Sequence, residues 1–392
     1  MQRHSSKTRH ISFESDQLPA LLGALQGGGY SVVGPTVQDD TIVLDVLASA
    51  RDLPIGRSCD QEKATYRLRS RPDQAFFGFT LGPHSWKKYL HIPSLRLWEA
   101  HRNENGFEIS SGREPASKQA FLGVRPCELH AILIQDRVLM SGDYVDPAYE
   151  ARRENTLIIA VNCTEAGGTC FCASMGTGPK AASGFDLALT EVLQENRHFF
   201  VAEIGTDRGE EILRDVPHSD AGDDACSAAA DAVARAAGCM GRQLDTAGIR
   251  DILVGNPEHP RWDQVAMRCM TCGNCTMVCP TCFCTTVEDA TDLTAARAER
   301  RRVWDSCFTL DFSYIHGGSV RSSVKARFRQ WLTHKFAAWI DQFGQSGCVG
   351  CGRCITWCPV GIDVTEEIAA IRSDTGAGKR PHSVKETPRG NA

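Results

Sequence analysis

No run of apolar residues in this chain approaches the roughly 20 that a membrane-crossing helix needs, so no membrane span is expected. Basic residues are not in surplus: 43 Lys and Arg stand against 48 Asp and Glu, a formal charge of −5. Nucleic acid therefore has no electrostatic footprint to recommend it as a partner. The first ten residues are basic but no apolar core follows them, and no secretory signal is read there. Also missing are a Walker A run, a nucleophile elbow, a zincin H-E-x-x-H and a dinucleotide fingerprint; Gly27-Gly28-Gly29 is a loop between elements. No nucleotide or flavin site is expected on a chain without them. At 42% hydrophobic and 23% charged residues the composition excludes wholesale disorder. A length of 392 residues accommodates about two to three domains.

What the chain has in abundance is cysteine, 18 residues in all. A disulfide framework belongs to secreted, mostly small domains and fits badly here. Metal is the alternative. Eight cysteines fall into two runs of one form, C-x2-C-x2-C-x3-C-P. The first is Cys269-Met-Thr-Cys272-Gly-Asn-Cys275-Thr-Met-Val-Cys279-Pro280, and the second is Cys348-Val-Gly-Cys351-Gly-Arg-Cys354-Ile-Thr-Trp-Cys358-Pro359. Three thiols at intervals of three let one tight loop wrap a corner of an iron–sulfur cube. Gly273 and Gly352 sit where the backbone must turn close to inorganic sulfide. The fourth cysteine of each run lies too far along to complete its own cube, and in two-cluster ferredoxins it ligates the other cluster. The spacing thus assigns Cys269, Cys272, Cys275 and Cys358 to one [4Fe–4S] cluster. The other takes Cys348, Cys351, Cys354 and Cys279. Structural zinc also uses paired C-x2-C units, but three evenly spaced thiols followed by C-P, twice over, favour iron.

Along the chain the pattern reads as α+β. Residues 1–115 form a small α/β region, with helical spacing over Asp16–Leu25 and strands at Thr41–Leu47 and Ala75–Leu81. Residues 116–258 form a second α/β domain. It has strands at Ala120–Val124, Leu157–Val161 and His198–Ile204, a helix over Glu128–Met140, and mostly helical sequence over Asp207–Asp251. Residues 259–372 read as an all-α ferredoxin-type domain. No strand is expected after Ala266, Thr291–Trp304 is a charged helix, and Val324–Phe343 is a long amphipathic helix. Lys325, Arg327, Arg329 and Lys335 on or near that helix are suited to offset cluster charge, about −2 per cluster by ligand counting. The tail from Ser373 to Ala392 is read as disordered.

Ten cysteines lie outside the two runs. Cys127 and Cys163 each follow a strand, and Gly167 and Gly168 would let Cys170 and Cys172 fold back toward them. These four are a candidate third iron–sulfur site, with burial as small hydrophobes the alternative. Cys282, Cys284 and Cys307 form another candidate group, in which Asp305 could supply a fourth ligand. Cys59, Cys226 and Cys239 stand alone and are read as inert. His84 and His130 are read as packing or hydrogen-bonding residues rather than ligands. Gly176-Thr-Gly178-Pro is a turn before it is an anion-binding nest.

Several stretches resemble the beta subunit of cytosolic NiFe hydrogenases of the sulfhydrogenase type. They are Gly82–Lys88, Gly123–His130, Leu157–Cys163, Cys170–Pro179, Cys279–Cys284, Trp304–Cys307 and both ferredoxin runs, within roughly residues 65–370. The anaerobic sulfite reductase A subunit is a close relative of that family. The resemblance implies a cytoplasmic, heteromeric complex in which this chain is not catalytic alone. It would carry electrons between a flavin-bearing, NAD(P)-binding subunit and the NiFe hydrogenase small and large subunits. Electron input to an anaerobic sulfite reductase is the alternative, and an iron–sulfur redox sensor is a third reading. The first 60 residues match no motif.

Overall fold

The computed structural model describes residues 9–112, 116–194 and 196–376. Its largest unit is a mixed eight-stranded sheet. In chain order the strands are β1 (His10–Glu14), β2 (Ser31–Gln38), β3 (Thr41–Val46), β8 (Gln119–Val124), β9 (Thr156–Val161), β10 (Leu187–Gln194), β11 (Arg197–Ile204) and β12 (Ser219–Asp220). Their spatial order is β12-β1-β11-β10-β9-β8-β2-β3. The centre, β10-β9-β8-β2, is parallel and the flanks are antiparallel. Parallel strands are covered on both faces and so read as unbroken apolar runs; β9, Thr-Leu-Ile-Ile-Ala-Val, is buried at every residue.

Helices cover both faces. On β11, Phe200 and Ala202 enter the main core, together with residues of α1 (Leu18–Gly27). Phe199 and Val201 face the other way, onto Ala229 of α6 (Asp223–Gly238). The sheet runs through the boundary set at residue 115, because β2 and β8 pair directly and share one core.

The stretch Ala75–Leu81 is buried but is not a strand. Its backbone groups are taken by side chains in place of a ladder. The Glu191 carboxylate accepts from the amides of Phe76 and Phe77, at 2.6 and 2.8 Å. The Arg125 guanidinium donates to the carbonyls of Phe77 and Phe79, at 2.6 and 2.7 Å.

A second core gathers the ferredoxin-type region. Trp262, Val265, Phe308, Phe328, Trp331, Leu332, Ile355 and Ile368 are its main side chains, and six cluster-run or neighbouring cysteines pack against it. The amphipathic helix is present as α10 (Val324–Thr333), a π-helical turn over His334–Ala338 and α11 (Trp339–Phe343). The all-α expectation fails between the two cysteine runs. Thr285–Thr291 is a strand, β13, and Arg297–Trp304 is a strand, β14, where a charged helix was expected. They form a hairpin whose second strand pairs with β6 (Ser94–Asn103), which in turn pairs with β7 (Gly106–Ser111). Its charges pair across strands rather than along a helix: Arg300 lies opposite Asp289 and grips it at 2.6 and 2.7 Å. Ser373–Gly376 belongs to the last helix, Val364–Gly376; the rest of the expected tail lies outside the described residues.

Candidate metal centres

The two cysteine runs adopt one conformation twice. Thr271 and Gly350, each two residues after the first cysteine of its run, have positive φ, 54° and 67°. Gly273 and Gly352, after the second cysteine, both stand at 76° and start short helices, Asn274–Met277 and Arg353–Thr356. The turns aim backbone amides at sulfur. Thr271 N–H donates to Cys269 Sγ and Gly350 N–H to Cys348 Sγ, both at 3.4 Å, and Ile362 N–H donates to Cys358 Sγ at 3.3 Å. Amides aimed at ligand sulfur are the usual means of tuning a cluster.

The thiols collect in crossed sets. One cavity is lined by Cys269, Cys272 and Cys275 together with Cys358 from the other run, under Phe308, Phe328 and Trp331. A second is lined by Cys348, Cys351 and Cys354 together with Cys279. Cys354 borders both cavities, so they are neighbours. Among the cysteines of the two runs only Cys272 is exposed.

Burial pushes most of these thiols up, Cys348 and Cys351 to about 12. Cys279 is the exception and is held far below its ordinary range. A hydrogen bond from Cys282 and the nearby Lys335 ammonium overcome the cost of burial. Lys335 Nζ lies 3.2 Å from Cys279 Sγ and 3.0 Å from Thr281 Oγ1, and the side chain is buried. The π turn that carries it is a helical irregularity common at functional sites. Of the four cations expected to offset cluster charge, Lys335 lies against Cys279 and buried Arg327 lies near Cys269. Lys325 and Arg329 instead pair with Glu258, and Lys325 also with Asp263.

Cys127, Cys163, Cys170 and Cys172 line a third cavity, and Cys351 of the second cavity borders it. The topology explains the convergence. Parallel β8 and β9 end side by side, and Cys127 and Cys163 follow their carboxyl ends, where open α/β sheets form crevices. The loop carrying Cys170 and Cys172 is clasped by the second cysteine run. Phe171 N–H donates to Gly350 O at 2.9 Å and Thr177 Oγ1 to Val349 O at 2.6 Å. A Cβ on Gly352 would lie 2.3 Å from Thr169 O. Contact with Cys172, then burial, raises Cys127, and burial raises Cys163 to about 11. Arg125, which touches Cys163, is buried and has no carboxylate partner among the described residues. Arg353, also buried, bonds Gly82 O at 3.0 Å and the Glu128 carboxylate.

Cys282, Cys284 and Cys307 lie beside the second cavity. Cys282 helps to hold Cys279 low, and Cys307 lowers Cys284 to about 7. The Asp305 carboxylate is engaged by Ser306 N–H and Thr309 Oγ1, both at 2.6 Å. Lys87, buried over the Trp304 ring at 3.9 Å, is a second ammonium on this side. The isolated cysteines stay apart: Cys59 bonds Thr80, Cys226 lies on α6 and Cys239 is exposed. His84 accepts from Leu44 N–H at 3.4 Å, and burial lowers both His84 and His130. The nest candidate is a turn in which Thr177 N–H donates to Cys172 O at 3.0 Å.

Lys87, Arg125 and Arg353 were not singled out from sequence. Each is adjacent to or inside a motif, yet nothing local reveals that its charge is buried. Their chemistry fits an anionic cluster. Two buried ammoniums, Lys87 and Lys335, have no carboxylate partner among the described residues, and a buried cation needs an anion beside it. Among the described residues no three His, Cys, Asp or Glu side chains gather closely enough for a single metal ion. No helix among them is long and apolar enough to cross a membrane.

Residues 268–362, which span both runs, match the 4Fe-4S dicluster domain family. Over 320 residues the chain is 32% identical to sulfhydrogenase 2 subunit beta of Pyrococcus furiosus, a match that covers 80% of this chain and 90% of the relative. With the crossed thiol cavities inside the matched segment and the match reaching well into the eight-stranded sheet, the chain belongs to the family of the sulfhydrogenase beta subunits.

Proposed function

We propose that this chain relays single electrons through [4Fe–4S] clusters within a NiFe hydrogenase complex. It would stand between a flavin-bearing, NAD(P)-linked subunit and the small and large hydrogenase subunits. Cys269, Cys272, Cys275 and Cys358 would hold one cluster and Cys348, Cys351, Cys354 and Cys279 the other. Cys127, Cys163, Cys170 and Cys172 would hold a third. When bound, such clusters exchange one electron at a time. The observation that carries the reading is the run of shared walls: Cys351 borders the third and second cavities, and Cys354 the second and first. Three sites in such a row suit conduction, and exposed Cys272 marks the end nearest solvent.

The residues around the sites do the rest. Phe308, Phe328 and Trp331 keep water from the first site, and amides of Thr271, Gly350 and Ile362 stabilise added negative charge at sulfur. Lys335 and Arg125 do the same from the side. The test is anaerobic purification with identification of co-purifying subunits and iron and sulfide counts per chain. About twelve irons support three clusters and about eight support two, by cluster stoichiometry. NiFe hydrogenase subunits should co-purify. A siroheme reductase in their place would move the chain to a sulfite reductase, and colourless, iron-free protein would end the proposal.

A further inference from the structure

Trp331 stands in the wall between the first two thiol cavities. It lines the cavity of Cys269, Cys272, Cys275 and Cys358, and also that of Cys348, Cys351, Cys354 and Cys279. The side chain is only 3% exposed. Phe308 and Phe328 hold its ring, with centroids 5.9 and 5.6 Å away. The indole Nε1–H is buried and has no hydrogen-bond acceptor among the described residues.

Such a group is costly. An indole nitrogen can only donate, and a buried donor left unpaired forfeits the hydrogen bond it made to water. Buried nitrogens without partners also occur on Trp86, His91, His259, Arg302, Arg327 and Trp357. None of those side chains lines either cavity. The orphaned N–H of Trp331 is therefore the one that borders the thiols, and its missing acceptor belongs with what the thiols hold. The helix agrees. Phe328, three residues earlier on α10, lines the first cavity. Lys335, four residues later, lines the second and bonds Cys279 Sγ at 3.2 Å. Residues three and four apart share a helical face, so a single face carries Phe328, Trp331 and Lys335 past both sites.

We infer that the Trp331 indole N–H donates a hydrogen bond to a sulfur of one of the two clusters beside it and so favours the reduced state of that cluster. The bond strengthens as an electron arrives, because its acceptor gains negative charge. No proton moves, and unlike the Lys335 ammonium the donor adds no net charge. This inference rests on the proposed relay, because the clusters supply the acceptor.

The test uses full-length protein purified anaerobically with its iron. Two replacements remove the N–H. One is Trp331→Phe; the other puts benzothienylalanine at Trp331, which keeps the indole outline with sulfur in place of the N–H. Iron and sulfide are counted, and the cluster signals are titrated by EPR. In both variants one signal should move to lower potential and the other much less. At a fixed potential its reduced-to-oxidised ratio should fall about fivefold, roughly 40 mV for one electron. The signal that moves names the acceptor. In wild-type protein labelled at its tryptophan nitrogens, pulsed EPR of that reduced cluster should show a nitrogen coupling that the replacements abolish. Unmoved midpoints in the benzothienylalanine protein would overturn the inference, even if Trp331→Phe does not fold. A shift confined to Trp331→Phe would overturn it too, since it would report lost ring volume. Iron-free wild-type protein would instead defeat the relay itself, so the two failures are distinguishable.

Discussion

The Lys335 ammonium lies 3.2 Å from the sulfur of Cys279, inside the protein and away from any carboxylate among the described residues. A positive charge there favours the reduced, more negative form of the cluster that Cys279 would help to hold. Lys335→Met should lower that cluster's midpoint potential. A charged hydrogen bond favouring the reduced state by about 1–2 kcal/mol corresponds to roughly 40–90 mV for one electron. An EPR-monitored redox titration checks this, and the cluster of the Cys269 set should move much less. Equal shifts in both signals would contradict the geometry.

Cys358→Ser tests the crossing. Cys358 lines the cavity of Cys269, Cys272 and Cys275, although it belongs to the other run. The substitution should damage that distant-run cluster and leave the Cys348 set intact. Iron should fall by no more than about four per chain, one cluster's worth, with selective loss of one EPR signal. Loss of the Cys348-run signal would show uncrossed ligation.

Gly352 joins the cysteine run to the loop of Cys170 and Cys172. An added Cβ would lie 2.3 Å from Thr169 O, and φ is 76°. The left-handed conformation alone costs an L-residue about 1–2 kcal/mol, and the backbone clash adds to it. Gly352→Ala should therefore lower stability by at least ~2 kcal/mol and release iron at a lower temperature. Gly238→Ala, whose Cβ meets nothing within 4 Å, is the control. Unfolding followed anaerobically by circular dichroism, with iron release read in parallel, should separate the two.

His91 gives the fold a pH dependence unrelated to metal. Its ring stacks near Trp304, neither ring nitrogen has a hydrogen-bond partner, and burial beside Arg302 and Lys87 lowers it to about 4. The folded protein keeps this histidine neutral, while the unfolded chain protonates it near 6.5. The His91 contribution is therefore complete above about pH 6.5 and is lost as pH falls toward 4. His91→Phe should flatten that part of the stability profile. Denaturant unfolding between pH 7 and 4, repeated for both proteins, measures it; identical slopes would count against the assignment.

The cysteine runs were legible because their geometry is local. Three-residue spacing, a glycine at the turn and C-P are all written within about a dozen residues, and the crossing follows from reach. The gathering of Cys127, Cys163, Cys170 and Cys172 was legible as a candidate because two strands end just before two of them. The hairpin was not legible. Glu299 and Arg300–Arg302 look like part of a solvated helix until their strand is laid against β6, about 200 positions earlier in the chain. Ala75–Leu81 misled in the opposite sense, since an apolar run says nothing of whether its amides meet another strand or the carboxylate of Glu191. Lys335 was one of four basic residues read as suited to offset cluster charge, while Arg125 was an ordinary one; only burial turns such a charge into an electrostatic demand.

The pairing of β14 with β6 bears on how such a protein can be taken apart or recombined. The ferredoxin-like portion extends an arm into the sheet of the preceding half, while that half lends its Phe171 loop in return. A fragment cut out at residue 259 would lose its neighbour on both counts, leaving a ragged β edge and an open wall beside Gly350. An electron conduit built this way is inherited whole, and grafting it onto another oxidoreductase means carrying the entire sheet along.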